Sequence, residues 1–422
     1  MPGCDTGVGG EIAIGQPDKY GLGGQVSLHV YNLVEEMDAP GEYALEPGQK
    51  RLLVLLPKTG TSGTSLDLSW LGAPMVNLEN ASFVCMQGIR FTHGRSDGIR
   101  ITNGSDIVIR RCSFDGLGAT GVNADGNRIV VEDSLFERIG SMGVRLAGGD
   151  SKTLVHSDNR VAWCTFRDFS RLKRTYAPAI SLGGVGAVAE NCLMSDAPHS
   201  AILYGGQEHL IRNNEIHDVL TETGDCGAIY AGRSWTAFGT VISGNWIHDL
   251  KGTPGSPPCG IYLDDQLSGI TVKGNLIERA PLGVLVGGGR YDQIEGNIVS
   301  TCQEGLHLDS RGTQAWSANS RKTLAAGLEK LPGTEEPWKS RYPQVQATLT
   351  DRPNLPVGTR IIGNALVGCH SPWHGTPATS GVAIVEPNWK SLPAPSLVER
   401  NGTFTITGTP LVFTKPSVGV RK

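Results

Sequence analysis

Short apolar segments recur along this chain with a spacing that neither helices nor hairpins produce. One six-residue pattern is apolar at its first and last positions. It occupies residues Ile109–Phe114, Val131–Phe136, Val161–Phe166, Val188–Leu193, Ile211–Ile216, Ile242–Ile247, Val272–Ile277, Ile294–Val299 and Ile361–Leu366. The closing residues mostly fall 22 to 31 apart, the period of a solenoid turn. Asparagine recurs inside the pattern at Asn191, Asn214, Asn245, Asn275, Asn297 and Asn364. Stacked asparagines can bond amide to amide along a solenoid axis and satisfy the backbone of a bend. Between these segments runs a second motif, a small residue followed by an aliphatic one. Examples are Gly98-Ile99, Gly143-Val144, Ala179-Ile180, Ala228-Ile229, Gly260-Ile261 and Gly305-Leu306. Each repeat therefore carries at least two short strands with glycine-rich bends between them. No helical pattern separates them, so βαβ units are excluded. The pattern predicts an all-β parallel β-helix of about ten coils, each hydrogen-bonded to the next about 4.8 Å away.

The repeat sets the boundaries. Residues 1–75 do not obey it and read as an N-terminal β-rich region. Residues 76–311 carry the β-helix. Residues 312–358 interrupt it with two short helical patterns, a lid or flank between late coils. Residues 359–422 resume the strands as C-terminal coils. Composition agrees: 57 of 422 residues are glycine, and only 18% are charged. Long amphipathic helices need the opposite balance. An apolar fraction of 39% supports a continuous core. The net charge of −4, with no basic cluster, argues against nucleic-acid binding. The longest aliphatic run, Leu52–Leu56, cannot span a bilayer. No signal peptide is read at the start, so the location expected is cytoplasmic, or secreted or periplasmic if a leader has been removed. Nine cysteines at irregular spacing, without a CxxC, suggest neither a disulfide framework nor a zinc site. Cys112, Cys164 and Cys192 read as small packing residues.

Alternation shows which side chains leave the coil. In the second motif the outward positions are Arg100, Asn123, Arg145, Ser181, Leu203, Tyr230, Tyr262, Leu285 and His307. Two residues further along, outward positions hold Gly183, Gly205, Gly232, Asp264, Gly287 and Asp309. Glycines give a floor without side chains, and the aromatics and acids stand against it. Around this stripe lie Asp225, Asp265, Arg233, Arg290, Arg311 and His199. Such a face suits an oligo- or polysaccharide, since tyrosines pack on sugar rings and carboxylates grip hydroxyls.

Three uses of the groove are open. Glycoside hydrolysis needs a protonated acid and an ionised carboxylate across the scissile bond. Asp225 with Asp264 or Asp265, from neighbouring coils, meets that need without a cofactor. Tyr230, Tyr262, His199 and His307 would then shape the sugar subsite, and Arg233, Arg290 and Arg311 would orient acids or hydroxyls. A lyase on uronic-acid polymers would instead place Ca2+ on Asp264, Asp265 and Asp309, with Arg233 or Arg311 as base. A glycan-binding shaft would need no chemistry. A GxGxxA stretch at Gly184–Ala189 leads into a strand and is no dinucleotide site. His217 and His248 read as a turn ladder rather than metal ligands.

Several segments resemble glycoside hydrolase family 141, within the group of right-handed parallel β-helix proteins. They are 31–43, Leu172–Ala179, Asp196–Ile202, Thr223–Arg233, Gly260–Asp265 and Gly287–Arg290, with Pro337-Trp338 and Arg341-Tyr342 in the helical insertion. The resemblance implies a right-handed coil and an enzyme acting on plant or algal polysaccharide or its side chains. Characterised members include an α-L-fucosidase and a xylanase. Their catalytic pair of aspartates on neighbouring coils maps onto Asp225 and Asp264 or Asp265. Two departures stand out: a short amino-terminal region, and Cys226 where alanine is expected beside the acid.

Overall fold

The computed structural model describes residues 32–56, 67–252, 257–331, 333–376, 379, 381–385, 389–390, 397–407 and 409–421. The chain divides into two compact units, Met1–Asp67 and Leu68–Lys422. In the first, strands Tyr43–Glu46 and Arg51–Val54 pair antiparallel, with Tyr43 opposite Val54. Residues 1–31 and 57–66 of the expected N-terminal β region lie outside the described residues.

The second unit is a parallel β-helix. One ladder of strands runs from Val76–Glu79 to Ser371–Gly375 and a second from Ser82–Gln87 to Ile384–Val385. A third runs from Arg90–Thr92 to Trp389–Lys390 and contains 11 strands, one more coil than the repeats predict. Alternation along the first ladder falls as expected. Arg100, Asn123, Arg145, Ser181, Leu203, Tyr230, Tyr262, Leu285 and His307 are direct partners across successive coils. Their neighbours Ile99, Val122, Val144, Ile180 and Ile229 are fully buried. Inside the third ladder, Phe91, Phe114, Phe136 and Phe166 stack with centroids 4.8, 4.6 and 4.7 Å apart.

The bend between the second and third ladders explains the Gly-Asn pair in the repeat. The first residue of the pair takes a left-handed backbone, as at Gly244 (φ 63°), Gly274 (φ 59°) and Gly296 (φ 61°), which glycine adopts without steric cost. The second residue turns inward. Asn214, Asn245, Asn275, Asn297 and Asn364 are fully buried and joined side chain to side chain.

One coil departs from the sequence reading. Ala189, not Val188, faces inward, because Ala189 pairs with Val161 and Ile211. The slip moves Asn191 out of the amide ladder and onto the left-handed position (φ 56°). Its neighbour Cys192 takes the ladder place, and the Cys192 N–H donates to Asn214 Oδ1 at 3.0 Å. A one-residue shift reverses every side chain in a strand, and the larger apolar residue misleads when the interior holds alanine.

Residues 312–358 do form an insertion, with helices Ala318–Lys330 and Trp338–Arg341. Leu324, Leu328, Trp338 and Val345 pack on Leu154, Trp235 and Phe238 of the coil. Glu208 accepts from Arg341 and from Tyr342, the latter at 2.6 Å. Among the described residues, the expected coils at 359–422 are seen through the strand Trp389–Lys390. Strands Leu397–Arg400, Thr403–Ile406 and Val412–Thr414 instead pair antiparallel. Phe404, Ile406 and Phe413 cover Leu276, Ile298, Ala365 and Val367 on the outer face of the third ladder. The tail then runs back along that face, where Asn191 Nδ2 donates to Ser417 O and Arg421 Nε to Asp133 Oδ1 at 2.6 Å. These outer positions are apolar because they carry a cover, which a coil would not supply.

Candidate active site

Strands Gly227–Gly232, Cys259–Asp264, Leu282–Val286 and Glu304–Leu308 are successive rungs of the first ladder. Gly232 pairs directly with Asp264. A Cβ at Gly232 would stand 3.0 Å from the Asp264 Cβ, so the glycine gives that acid its room. Strand alternation alone would send Asp264 and Asp265 to opposite sides. The backbone turns left-handed at Asp265 (φ 40°) and Gln266 (φ 61°), and both carboxyls reach one pocket. Asp225 (φ 50°) and Arg233 (φ 59°) bracket the preceding strand in the same conformation. Left-handed non-glycine residues recur at the turns of the whole coil, and here they bring the acids and Arg233 to one side.

The pocket has a volume of about 490 Å³, room for a sugar unit and its bonded neighbour. Asp225, Arg233, Tyr262, Asp264, Asp265, Asp309 and Arg311 line it, seven residues singled out by the sequence. Tyr262 Oη donates to Asp225 Oδ1 at 3.3 Å and accepts from Arg311 Nη1 at 2.7 Å. Arg311 Nη1 also lies 2.5 Å from Asp264 Oδ1. The separation of the Asp225 and Asp264 oxygens cannot exceed those three steps end to end, so it lies below the ~9.5 Å upper limit for paired glycosidase carboxyls. Tyr230 Oη donates to Asp264 Oδ2 at 2.8 Å, and the Asp265 N–H to Asp264 Oδ1 at 2.7 Å. Asp265 accepts from Arg233 Nε at 2.6 Å and from Ser320 of the insertion at 3.3 Å.

Two environments result. Asp264 is 6% exposed, while Asp225 is open to solvent. Burial, reinforced by the charge of Asp265, pushes the Asp264 carboxyl above the usual carboxylate range, and Arg311 only partly opposes this. Burial and the Asp264 charge push both tyrosines far up, so they stay protonated. Burial works against the charge on Arg311, but Asp309 and Tyr262 outweigh it and raise its pKa. Hydrogen bonding to Asp265 raises that of Arg233. Neither guanidinium is a proton acceptor. Burial lifts the Cys226 thiol to about 11, which makes it inert.

Four expected residues stand elsewhere. Tyr230 supports Asp264 from outside the pocket lining. His199 is buried beside Tyr176, and burial lowers its pKa to about 4. It does not line the pocket because it sits in the turn ahead of its strand. Arg290 is 1% exposed and donates Nη1 to the carbonyls of Arg352 and Leu355, at 2.8 and 3.2 Å. It clamps the end of the insertion rather than touching a ligand. His307 points along the ladder to His374 and bonds Glu304. Asp264, Asp265 and Asp309, the expected calcium set, all line the pocket, and each also pairs with a guanidinium. Ser310, Gln314 and Thr376 complete the lining. They come from the strand exit, the insertion and the terminal coil, where no repeat marks them.

The model of the right-handed beta helix region matches residues 69–160 and 156–321. A polysaccharide lyase family 6 alginate lyase solved with a trisaccharide is similar in structure, at 12% identity and a TM-score of 0.41, over 82% of this chain and 89% of that one. A mannuronic acid specific family 6 lyase from human gut microbiota gives 12% identity and 0.33, over 65% and 85%. A family 6 lyase from Pseudopedobacter saltans gives 10% and 0.33, over 56% and 66%. These likenesses concern the fold alone. No curated protein matches the chain in sequence. With more than half its length matched and its strands wound as described, the chain belongs to the right-handed beta helix region family.

Proposed function

We propose that this pocket hydrolyses a glycosidic bond in a polysaccharide or its side chains. Asp264 acts as the acid and Asp225 as the carboxylate facing the anomeric carbon. The observation that carries this reading is a buried carboxyl and an exposed one joined through Tyr262 and Arg311 within a single sugar-sized pocket. Environments that separate two carboxyls assign their roles. Asp264 gives its proton to the leaving oxygen, and water supplies hydroxyl to the anomeric carbon and a proton back to the site. Asp265 sustains the Asp264 proton by its charge. Arg233 and Ser320 hold Asp265 in place. The resemblance to glycoside hydrolase family 141 supports the same pair.

β-Elimination on a uronic-acid polymer is the second reading. Arg233 is half exposed, with a side-chain exposure of 51%, and binds Asp265 through Nε. Its terminal nitrogens are positioned for a substrate carboxylate. The alginate lyases named above have this kind of activity. Elimination also needs a base, and since Tyr262, Arg233 and Arg311 are held protonated, that role would fall to a pocket carboxylate such as Asp225. Screening plant and algal polysaccharides separates the two. Hydrolysis releases reducing ends without ultraviolet absorbance and tolerates chelator. Elimination gives an unsaturated, absorbing product. Neither product from any glycan that binds would leave a binding shaft.

The acid role fixes a pH dependence. Asp264 faces Asp265 and Tyr262 from its own strand and turn, Tyr230 from the preceding coil, and Arg311 from the segment beyond the strand Glu304–Leu308. Its pKa is raised, so the active protonated form is present below that value and lost above it. We expect kcat/KM to fall on the alkaline side with a midpoint above the ordinary Asp range. An alkaline limb that survives unchanged in Asp264→Asn would assign it to another group.

A further inference from the structure

We propose that Glu304, His307 and His374 form a site for a divalent transition-metal ion of the Zn2+ type, at the terminal coil beside the pocket. Among the described residues, ligand-capable atoms of these three side chains lie within 4.8 Å of one another. His307 and His374 are direct partners on adjacent parallel strands, so both leave the coil on the same face. Their rings stack at 4.4 Å with planes 7° apart. Glu304 Oε1 stands 2.7 Å from His307 Nδ1, on the side the cluster shares. His374 is exposed, and the set would have to close from there to the ligand separations of about 3 Å that a tetrahedral ion needs.

A second observation points the same way. His307 Nε2 faces Asp309 Oδ2 at 3.6 Å, and Asp309 is itself held by Arg311 at 2.7 Å. A ligating histidine characteristically turns its other nitrogen to a carboxylate, which fixes the tautomer and strengthens the ligand. Two imidazoles with one carboxylate select zinc-like ions over calcium or magnesium, which take all-oxygen sets. This site is separate from the Asp225–Asp264 pair and stands whatever reaction that pair performs.

The test is Zn2+ binding by the full chain after chelator dialysis, read by calorimetry and by the rise in Tm that a native-state ligand produces. We expect one saturable Zn2+ per chain, no comparable binding of Ca2+, and at least about tenfold weaker Zn2+ binding in His374→Ala and in Glu304→Gln. Circular dichroism checks that each variant keeps the wild-type fold, and either variant suffices if the other misfolds. Absence of saturable Zn2+ binding overturns the proposal. So does undiminished affinity in the folded variants, which would place the ion elsewhere.

Discussion

Asp264→Asn should lower turnover by about 10²–10⁴-fold while leaving the coil folded. Asparagine fills the same space: its Oδ1 can still accept from the Asp265 N–H, which approaches Asp264 Oδ1 at 2.7 Å, and its Nδ2 then donates to Tyr230 Oη in place of the bond that Tyr230 gave. It has no proton to give a leaving oxygen. Arg311 keeps Asp309, at 2.7 Å, so the substitution leaves no unpaired guanidinium. The signature is therefore a fall in kcat with an unchanged circular dichroism spectrum and a small change in Tm. Asp225→Asn should lose rate on a similar scale, and the double variant should lose little more than either alone, because the two groups act as one unit. Full activity in both single variants would remove the pocket from consideration as the reaction centre.

Asn275→Ala should destabilise the coil by about 2–4 kcal/mol, counting the buried polar groups left without a partner at ~1–3 kcal/mol each. Asn275 Oδ1 accepts from both the backbone N–H and the Nδ2 of Asn245, at 3.0 and 2.9 Å. Its Nδ2 donates to Ile242 O and to Asn297 Oδ1, at 3.0 and 2.9 Å. Alanine strands the Asn245 N–H and takes one bond each from Ile242 O, Asn245 Nδ2 and Asn297 Oδ1 in a buried interior, although Asn245 Nδ2 keeps Ile211 O and Asn297 Oδ1 keeps the N–H of residue 275. Asn191→Ala is the matching control. Asn191 lies off the ladder and bonds only the returning tail by its side chain, so its loss amounts to the left-handed backbone penalty of about 1–2 kcal/mol and that one contact. Urea midpoints for the two variants compare the effects. Equal destabilisation would show that the buried amide ladder contributes nothing special.

The repeat was legible because the solenoid writes itself into the sequence once per coil. The Gly-Asn pair at Gly274-Asn275 needs a left-handed residue and then a buried amide, and no other arrangement reuses that combination at such spacing. The outward stripe from Arg100 to His307 was legible for the same reason, since strand alternation has a period of two. It failed where the interior residue is small, at Ala189, and where turns redirect side chains. His199 and Arg290 share the neighbourhood of the stripe in sequence. Their backbones turn them into the protein, one beside Tyr176 and the other against the insertion.

By itself the sequence determined the coil, its period, the face that carries polar and aromatic groups, and the acids that belong to that face. These follow from periodicity, which is a local property repeated. The tertiary structure decided that Asp264 and Asp265 reach the same pocket, that Asp264 is buried, and that Arg311 pairs with it. It also brought His374 beside His307 across the whole insertion. Such outcomes depend on left-handed turns, burial and the stacking of distant coils, and none of these has a signature within a few residues of the groups it controls.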